Sequence, residues 1–289
     1  MSRLIVNADD FGLTSGVNRA ILELHGAGVL TSATLMAMAA ASAEAIAMAR
    51  ATPSLGVGCH VVLVDGDPVL PPHAIPTLVD PRTGRFHATL GAFLRRLLTG
   101  RIRSTEIEAE TAAQLSLLQA EGLALTHVDT HKHIHMFSAV LSPVLRAAAS
   151  GGIRRIRNPF EPAWSLDATP GAPWLRRTQV HLLRLLWPAF GRIVDTAGFA
   201  TTDGAVGVLA TGTLDAATVD SVLRDMPHGT WELITHPGYN DGDLARTHTR
   251  LLASRQTERE ALLTLLQFPE IEYISFVGLH SNARVKTSR

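Results

Sequence analysis

The chain has 289 residues, of which 46% are hydrophobic and 18% charged, a composition typical of globular rather than disordered proteins. Lys and Arg number 26, as do Asp and Glu, so the formal net charge is zero and no overall positive field favours nucleic acid. The single cysteine, Cys59, excludes an internal disulfide and a cysteine-only metal cage, which favours a reducing compartment. We predict one domain over residues 1–289.

Two features bear on where the protein is located. The N-terminus lacks a basic segment followed by an apolar one, so no signal peptide is predicted. The longest apolar-leaning stretch, residues 29–49, is interrupted by polar side chains such as Thr31, Ser32 and Glu44, which argues against a membrane-spanning helix. We therefore expect a cytoplasmic protein, with the inner face of the membrane as a second location considered below.

Short apolar runs alternate with helix-like runs along the chain. In order, the predicted elements are a strand at 4–8, a helix at 15–25, a strand at 32–38, a helix at 40–50, a strand at 55–63, a helix at 105–120 opened by a capping box at 105–108, a strand at 125–130, a helix at 137–149, strands at 153–157 and 205–209, a helix at 216–224, a strand at 231–235, a helix at 246–266 and a strand at 271–277. Irregular inserts are predicted at about 65–100 and 160–200. Seven or eight such units predict an α/β, TIM-barrel-like fold of parallel strands, closed or distorted.

Two adjacent acids, Asp9 and Asp10, stand where the first predicted strand ends. Charged side chains are rarely buried unless they are paired or bind a metal. Because catalytic groups collect at the carboxyl ends of barrel strands, this pair is a candidate for chemistry. Successive strand residues point to opposite sides, so the two acids can hold different roles. The simpler alternative is that Asp10 only caps the following helix.

Three more predicted strand ends carry histidines. They are Gly58-Cys59-His60, the run from His127 to His135, and His236-Pro237-Gly238. A carboxylate and two imidazoles from separate strands are a usual ligand set for a catalytic divalent metal. From these strand ends we choose Asp10, His60 and His131 as the metal ligands.

The histidine run holds more imidazoles than one metal can use. Metal-bound histidines usually donate their second N–H to a carboxylate or carbonyl, so we assign supporting roles around the ligands to Asp129, His127, His133 and His135. Asp129 either orients a ligand or pairs with His127. Taken singly, each histidine is as well explained by a hydrogen-bonded core or loop position. His236 stands apart, and the near-neutral pKa of an unperturbed imidazole suits it to general acid catalysis.

Four motifs together resemble one family, the YdjC-like carbohydrate deacetylases. They occur in the family's order and span nearly the whole chain, as Asn7-Ala8-Asp9-Asp10-Phe11-Gly12, Gly58-Cys59-His60, the segment from Thr126 to Met136, and His236-Pro237-Gly238. Residues 56–64 and 68–71, with the overall length, look most like the hopanoid-biosynthesis-associated branch, HpnK.

The resemblance implies a hydrolase that removes the N-acetyl group from an amino sugar with the help of a divalent metal, zinc or magnesium. It implies Asp10, His60 and His131 as ligands, Asp9 as the general base and His236 as the general acid. The implied substrate is N-acetylglucosamine linked to a hopanoid lipid, with diacetylchitobiose as the alternative. A different metal-dependent barrel enzyme, such as a sugar isomerase or an amidohydrolase, and a non-catalytic glycan-binding protein remain further alternatives.

The candidates for substrate contact lie in the second insert and just before it. Arg157, Trp164 and Trp174 could bind or stack on a sugar, although packing within the loop explains them equally well. Residues 174–193 combine an apolar face with four arginines and could lie on a membrane, but a packed outer helix is the simpler interpretation. No nucleic-acid partner is expected, and a homodimer stays open.

Overall fold

A sheet of seven parallel strands forms the centre of the molecule. The structure is a computed structural model that describes residues 2–279, so residue 1 and residues 280–289 of the predicted domain lie outside the described residues. In chain order the strands are β1 (Ser2–Phe11), β2 (Ser32–Leu35), β3 (Gly56–Val61), β4 (Val128–Thr130), β5 (Gly204–Val206), β6 (Gly229–Thr235) and β7 (Glu272–Tyr273). The sheet order is β4-β3-β2-β1-β6-β5, with β7 beside the start of β1.

The sheet curves into an open barrel. Between β4 and β5 the predicted strand at 153–157 is present only as single bridges, which pair Ile156 with Val128 and Arg155 with Ala200. The predicted parallel, TIM-barrel-like α/β class is therefore confirmed, while a closed barrel is not formed by the described residues. β1 is the central strand, and its residues from Leu4 to Phe11 are all buried.

Eleven α-helices surround the sheet in the described part of the chain. They are α1 (Ser15–Gly26), α2 (Ser42–Ala51), α3 (Leu90–Leu98), α4 (Ser104–Ala120), α5 (Ser138–Ser150), α6 (Ala163–Ala168), α7 (Trp174–Leu183), α8 (Trp187–Thr196), α9 (Ala216–Arg224), α10 (Gly242–Ala245) and α11 (Ala253–Leu262). Crossover helices of this kind let parallel strands follow one another in a sheet.

Three details of the predicted elements were wrong. The insert at 160–200 is mostly helical rather than irregular, since it contains α6, α7 and α8. The long helix predicted at 246–266 begins later, because residues 246–252 are irregular and α11 begins only at Ala253. α4 begins one residue before the predicted capping box, after Arg103, and no side chain caps it.

The first insert is fastened to α4 by buried polar side chains. Glu110 accepts hydrogen bonds from the backbone N–H groups of Val69 and Leu70, at 2.8 and 3.0 Å. Glu106 accepts from both the backbone and the hydroxyl of Thr77. These bonds satisfy backbone donors that would otherwise be lost on burial, and they hold the insert against the barrel.

Candidate metal and catalytic centre

An irregularity in β1 brings the two adjacent acids to the same site. The pairing with β2 slips between Ala8 and Phe11, and Asp10 has a φ of 63°. Only a few per cent of residues other than glycine adopt positive φ, and such conformations concentrate at functional sites. In a regular strand Asp9 and Asp10 would face opposite sides of the sheet. The slip instead leaves both carboxylates buried and both close enough to His60 to raise its pKa.

Three ligand atoms converge beside this irregularity. Oδ1 of Asp10 lies 3.6 Å from Nε2 of His60 and 3.6 Å from Nδ1 of His131, and the two imidazole nitrogens are 3.3 Å apart. Two ligands of a tetrahedral ion with metal–ligand bonds of about 2.1 Å would be separated by about 3.4 Å. The three residues predicted as metal ligands therefore have the spacing and the donor chemistry that such an ion requires.

The environment of His60 fixes which nitrogen faces the other ligands. Its Nδ1–H donates to Oδ1 of Asp129 at 2.8 Å, so Nε2 is the nitrogen that faces Asp10 and that a bound metal would contact in place of a proton. The hydroxyl of Thr34 lies 3.3 Å from Asp129 and adds a second contact to this carboxylate. A carboxylate behind a histidine is the usual way in which proteins orient a metal-binding imidazole. Burial lowers the pKa of His60, but Asp129, Asp9 and Asp10 together raise it to about 9.

Asp10 uses its two oxygens differently. Oδ2 accepts a hydrogen bond from Nη2 of Arg255 at 2.6 Å, while Oδ1 faces the two imidazoles. Burial raises the pKa of this carboxyl, but Arg255, His131 and His60 more than compensate and hold it well below its usual range. Asp10 is thus ionised and available as a ligand at neutral pH. Capping of the following helix is done by Thr14, whose hydroxyl accepts from the N–H of Val17, so the capping explanation of Asp10 was wrong.

Asp9 is held entirely by protein donors. Arg157 donates to both of its oxygens, at 2.8 and 2.6 Å, and Asn7 donates to Oδ1 at 3.0 Å. Burial raises the pKa of Asp9, but Arg157 above all, with His60 and His236, lowers it far below its usual range. Asp9, His60 and Asp129 form a second group with ligand-like spacing. Arg157 pairs with both carboxylates of this second group, so the protein itself supplies positive charge there.

His236 lies on the other side of Asp9. Its Nε2 is 3.9 Å from Oδ2 of Asp9, and its Nδ1 is 3.7 Å from Oε2 of Glu258. Burial lowers the pKa of His236, but Glu258, then Asp9 and Asp10, raise it above the ordinary value. The imidazole therefore stays protonated to a higher pH than a free histidine would, as a proton donor requires.

The remaining histidines of the 127–135 run have different surroundings. The ring of His127 is stacked on Phe276 at 3.7 Å and fills the space above Gly58, where a Cβ would lie 2.4 Å from it. Nδ1 of His127 forms a hydrogen bond with the hydroxyl of Thr126, and Nε2 has no partner among the described residues. No contact therefore supports the predicted role of His127 beside the ligands. Burial lowers the pKa of His127 to about 3.

His135 and His133 follow where the chain turns. His135 bridges the hydroxyl of Thr130 and the backbone carbonyl of Arg157, at 2.7 and 3.2 Å, and so helps to place that arginine. His133 has a φ of 53°, and its buried Nδ1 has no partner among the described residues. Two consecutive residues in the left-handed region, Lys132 and His133, end β4 abruptly and separate His131 from the rest of the run.

The residues predicted to touch a substrate were placed wrongly or remain untested. Arg157 is fully buried and paired with Asp9, Asp129 and Glu232, so it cannot reach a substrate. Trp164 is half-buried, and its ring packs edge-on against Trp231 at 5.1 Å, which is core packing. Trp174 is 72% exposed at the start of α7, and no described contact joins it to the histidine site.

Three charged residues that hold the site were not predicted from the sequence. Arg255 and Glu258 lie three positions apart on α11, and one binds Asp10 while the other contacts His236. Neither residue could be recognised from the sequence around it, because Arg and Glu are common on surface helices. Glu232 did carry one, since it is a lone acid in the buried strand β6, and burial raises its pKa to about 7 against the opposing effect of Arg157.

Comparisons with known proteins identify the family. The family model described as YdjC-like protein matches residues 3–270. The chain belongs to the YdjC-like family. Among its relatives, a carbohydrate deacetylase of Brevibacillus brevis is 34% identical over 90% of each chain. A carbohydrate deacetylase of Halalkalibacterium halodurans is 36% identical over 93% of this chain and 98% of its own.

Solved structures support the fold of this YdjC-like protein. A protein of Enterococcus faecalis named for cellobiose-phosphate cleavage superposes with a TM-score of 0.75 at 23% identity, over 95% of this chain and 97% of its own. A lactam utilization protein of Thermus thermophilus superposes with a TM-score of 0.52 at 14% identity, over 94% and 99%. At these identities the likeness concerns the fold alone.

Within residues 2–279 no helix has both the length and the apolar character needed to cross a membrane.

Proposed function

We propose that this YdjC-like protein is a metal-dependent carbohydrate N-deacetylase that hydrolyses the acetamido group of an amino sugar. The observation that carries the proposal is the juxtaposition of the Asp10, His60 and His131 triangle with a second pair, Asp9 and His236, suited to proton transfer. The curated relatives named as carbohydrate deacetylases support the reaction class. Zinc and magnesium are the proposed metals.

The protein residues divide the work of amide hydrolysis. When bound, a divalent metal would polarise the acetyl carbonyl and acidify a water, which offsets the weak basicity that a low pKa gives Asp9. Arg157 keeps Asp9 ionised and fixed in direction, so that Oδ2 can accept a proton from the attacking water. Nε2 of His236, kept protonated by Glu258, delivers a proton to the departing amine. Each acid–base step of this kind typically contributes about 10²- to 10⁴-fold.

For the sugar, we propose N-acetylglucosamine joined to a hopanoid lipid. The support is the similarity of residues 56–64 and 68–71 to the hopanoid-associated branch. Diacetylchitobiose is the alternative substrate.

Acetate release provides the test. Purified protein, stripped of metal and reloaded separately with zinc and with magnesium, is incubated with N-acetylglucosaminyl bacteriohopanetetrol and with diacetylchitobiose. We expect metal-dependent release of one acetate from the lipid-linked sugar in preference to release from diacetylchitobiose. Preference for diacetylchitobiose would overturn the lipid-linked assignment. Release of acetate from neither sugar would overturn deacetylation in favour of another reaction of the barrel site, such as isomerisation.

A further inference from the structure

Thr34, a residue of β2, joins the two sides of the candidate centre. Its side chain is fully buried, and a hydroxyl buried in this way needs hydrogen-bond partners. Most side-chain hydrogen bonds in proteins are made to the backbone or to water. Within the described chain, the polar neighbours of this hydroxyl are instead four side chains of the centre, those of Asn7, Asp9, His60 and Asp129.

The hydroxyl lies between two buried carboxylates. Its oxygen is 3.3 Å from Oδ1 of Asp9 and 3.3 Å from Oδ2 of Asp129. Two like charges repel each other, and burial in a medium of low dielectric strengthens the repulsion. Arg157 offsets it by pairing with both acids, and the hydroxyl of Thr34 adds a second donor within reach of both. Because a hydroxyl carries one proton, it donates to one carboxylate at a time.

In each acid, Thr34 contacts the oxygen that does not take part in the proposed chemistry. In Asp9 it reaches Oδ1, whereas Oδ2 is the proposed proton acceptor and faces Nε2 of His236. In Asp129 it reaches Oδ2, whereas Oδ1 accepts the Nδ1–H of His60. A carboxylate turns as one plane, so a donor that holds one oxygen also sets the direction of the other.

We propose that the hydroxyl of Thr34 is a positioning group that aims Asp9 and Asp129 together. Through Asp9 it sets the geometry of proton transfer. Through Asp129 it sets the orientation of His60 and therefore the affinity for metal. The part that concerns proton transfer rests on the proposed function, while the effect on metal affinity does not depend on which reaction the centre catalyses.

Two substitutions at Thr34 separate the hydroxyl from the methyl group. Thr34→Val keeps the shape of the side chain and removes the hydroxyl, while Thr34→Ser keeps the hydroxyl and removes the methyl group. Zinc affinity is measured by calorimetry on the metal-free protein. Steady-state kinetics follow acetate release from the two sugars named above, and thermal unfolding is followed by circular dichroism.

The variant without the hydroxyl should be impaired in both functions. Thr34→Val should lower kcat about 10- to 100-fold, which corresponds to one hydrogen bond to a charged group, and should change KM less than about twofold. Zinc affinity should fall about threefold to tenfold, less than the roughly 10- to 100-fold loss for a direct partner of a ligand. Thr34→Ser should keep both quantities within about threefold of wild type, although the lost methyl group lowers its unfolding temperature.

The same strand offers a matched control. Ser32 lies two positions before Thr34, is also fully buried, and donates its hydroxyl to the backbone carbonyl of Gly56 at 2.9 Å. Ser32→Ala therefore also deletes a buried hydroxyl from β2, but one that contacts no side chain of the centre. It should leave zinc affinity and kcat at the wild-type level.

Three results would overturn the proposal. They are wild-type zinc affinity or wild-type kcat in Thr34→Val, losses in Thr34→Ser equal to those in Thr34→Val, and equal losses in Ser32→Ala. The second result would assign the effect to side-chain volume, and the third to packing of β2. If the wild-type protein releases acetate from neither sugar, the proposed function fails, and the zinc titrations alone then decide the role of Thr34.

Discussion

Asp9 and Asp10 are neighbours in the chain, yet the regions around their carboxylates are built differently. Both oxygens of Asp9 are occupied by donors of the protein, chiefly Arg157. In Asp10, one oxygen accepts a hydrogen bond from Arg255 and the other faces two imidazole nitrogens. The protein thus holds one acid with its own donors, although among the described residues Oδ2 of Asp9 accepts only the bond from Arg157, and it leaves one oxygen of the second acid facing two imidazole nitrogens. The difference predicts that the Asp10 side binds an ion and that the Asp9 side handles protons.

The largest effect is expected from breaking the Asp10 side. His131→Ala removes one corner of the ligand triangle, so metal affinity should fall by more than about 100-fold, beyond the usual loss for an outer partner. Acetate release should fall to background with it. Metal content after dialysis measures the first effect. The exposed His73 gives the control His73→Ala. Full metal content in His131→Ala would remove this histidine from the ligand set.

On the Asp9 side, His236→Ala should lower kcat by about 10²- to 10⁴-fold because it removes the proposed proton donor. Metal content should stay at the wild-type level, since His236 contacts Asp9 and Glu258 rather than the triangle. Steady-state kinetics and metal analysis on the same preparation check both statements. A variant that lost metal together with activity would place His236 among the ligands instead.

A smaller effect is expected at the boundary between the two regions. Asp129 orients His60 and also pairs with Arg157. Asp129→Asn should weaken metal binding by about 10- to 100-fold, the usual range for a partner behind a ligand. Titration calorimetry measures the affinity. Unchanged affinity would show that His60 keeps its orientation without the carboxylate.

The smallest effect is a shift in pH dependence. Glu258 raises the pKa of His236, and in the proposed mechanism the acid form of His236 is the active one. Activity therefore falls as pH rises through that pKa. Glu258→Gln removes the negative charge, lowers the pKa, and should move the basic limb of the kcat profile to lower pH. Glu260→Gln, an exposed position on the same helix, should leave the profile in place. If the basic limb does not move in Glu258→Gln, then His236 is not the group whose titration produces that limb.

The metal ligands that were predicted from the sequence lie at strand ends. Residues of the site that were not predicted, such as Arg255, are distant in sequence from the groups they contact. Asp10 and His60 are the last residues but one of β1 and β3, His131 directly follows β4, and parallel strands bring such ends together. Arg255 approaches Asp10 across 245 positions, and only the packing of α11 on the barrel creates that contact. Similarly, Arg157 ends a predicted strand next to the second insert and was predicted to contact substrate, but it is fully buried.

Local geometry explains two other differences. Alternation along a regular strand would send Asp9 and Asp10 to opposite sides of the sheet. Asp adopts positive φ more often than most residues, but the sequence does not mark Asp10 as the position where this occurs. The second insert, residues 160–200, was predicted to be irregular. Three helices form there instead, and helices tolerate proline at their first positions, as at Pro188 in α8.

The most direct test of the division between the two acids compares Asp9→Asn with Asp10→Asn, which are matched in size and differ by one position. Each variant is titrated with zinc by calorimetry and assayed for acetate release. We predict that Asp9→Asn binds one metal with near wild-type affinity while kcat falls about 10²- to 10⁴-fold. Asp10→Asn should lose both metal and turnover. Loss of metal in Asp9→Asn with retention in Asp10→Asn, or near-normal turnover in Asp9→Asn, would contradict the account.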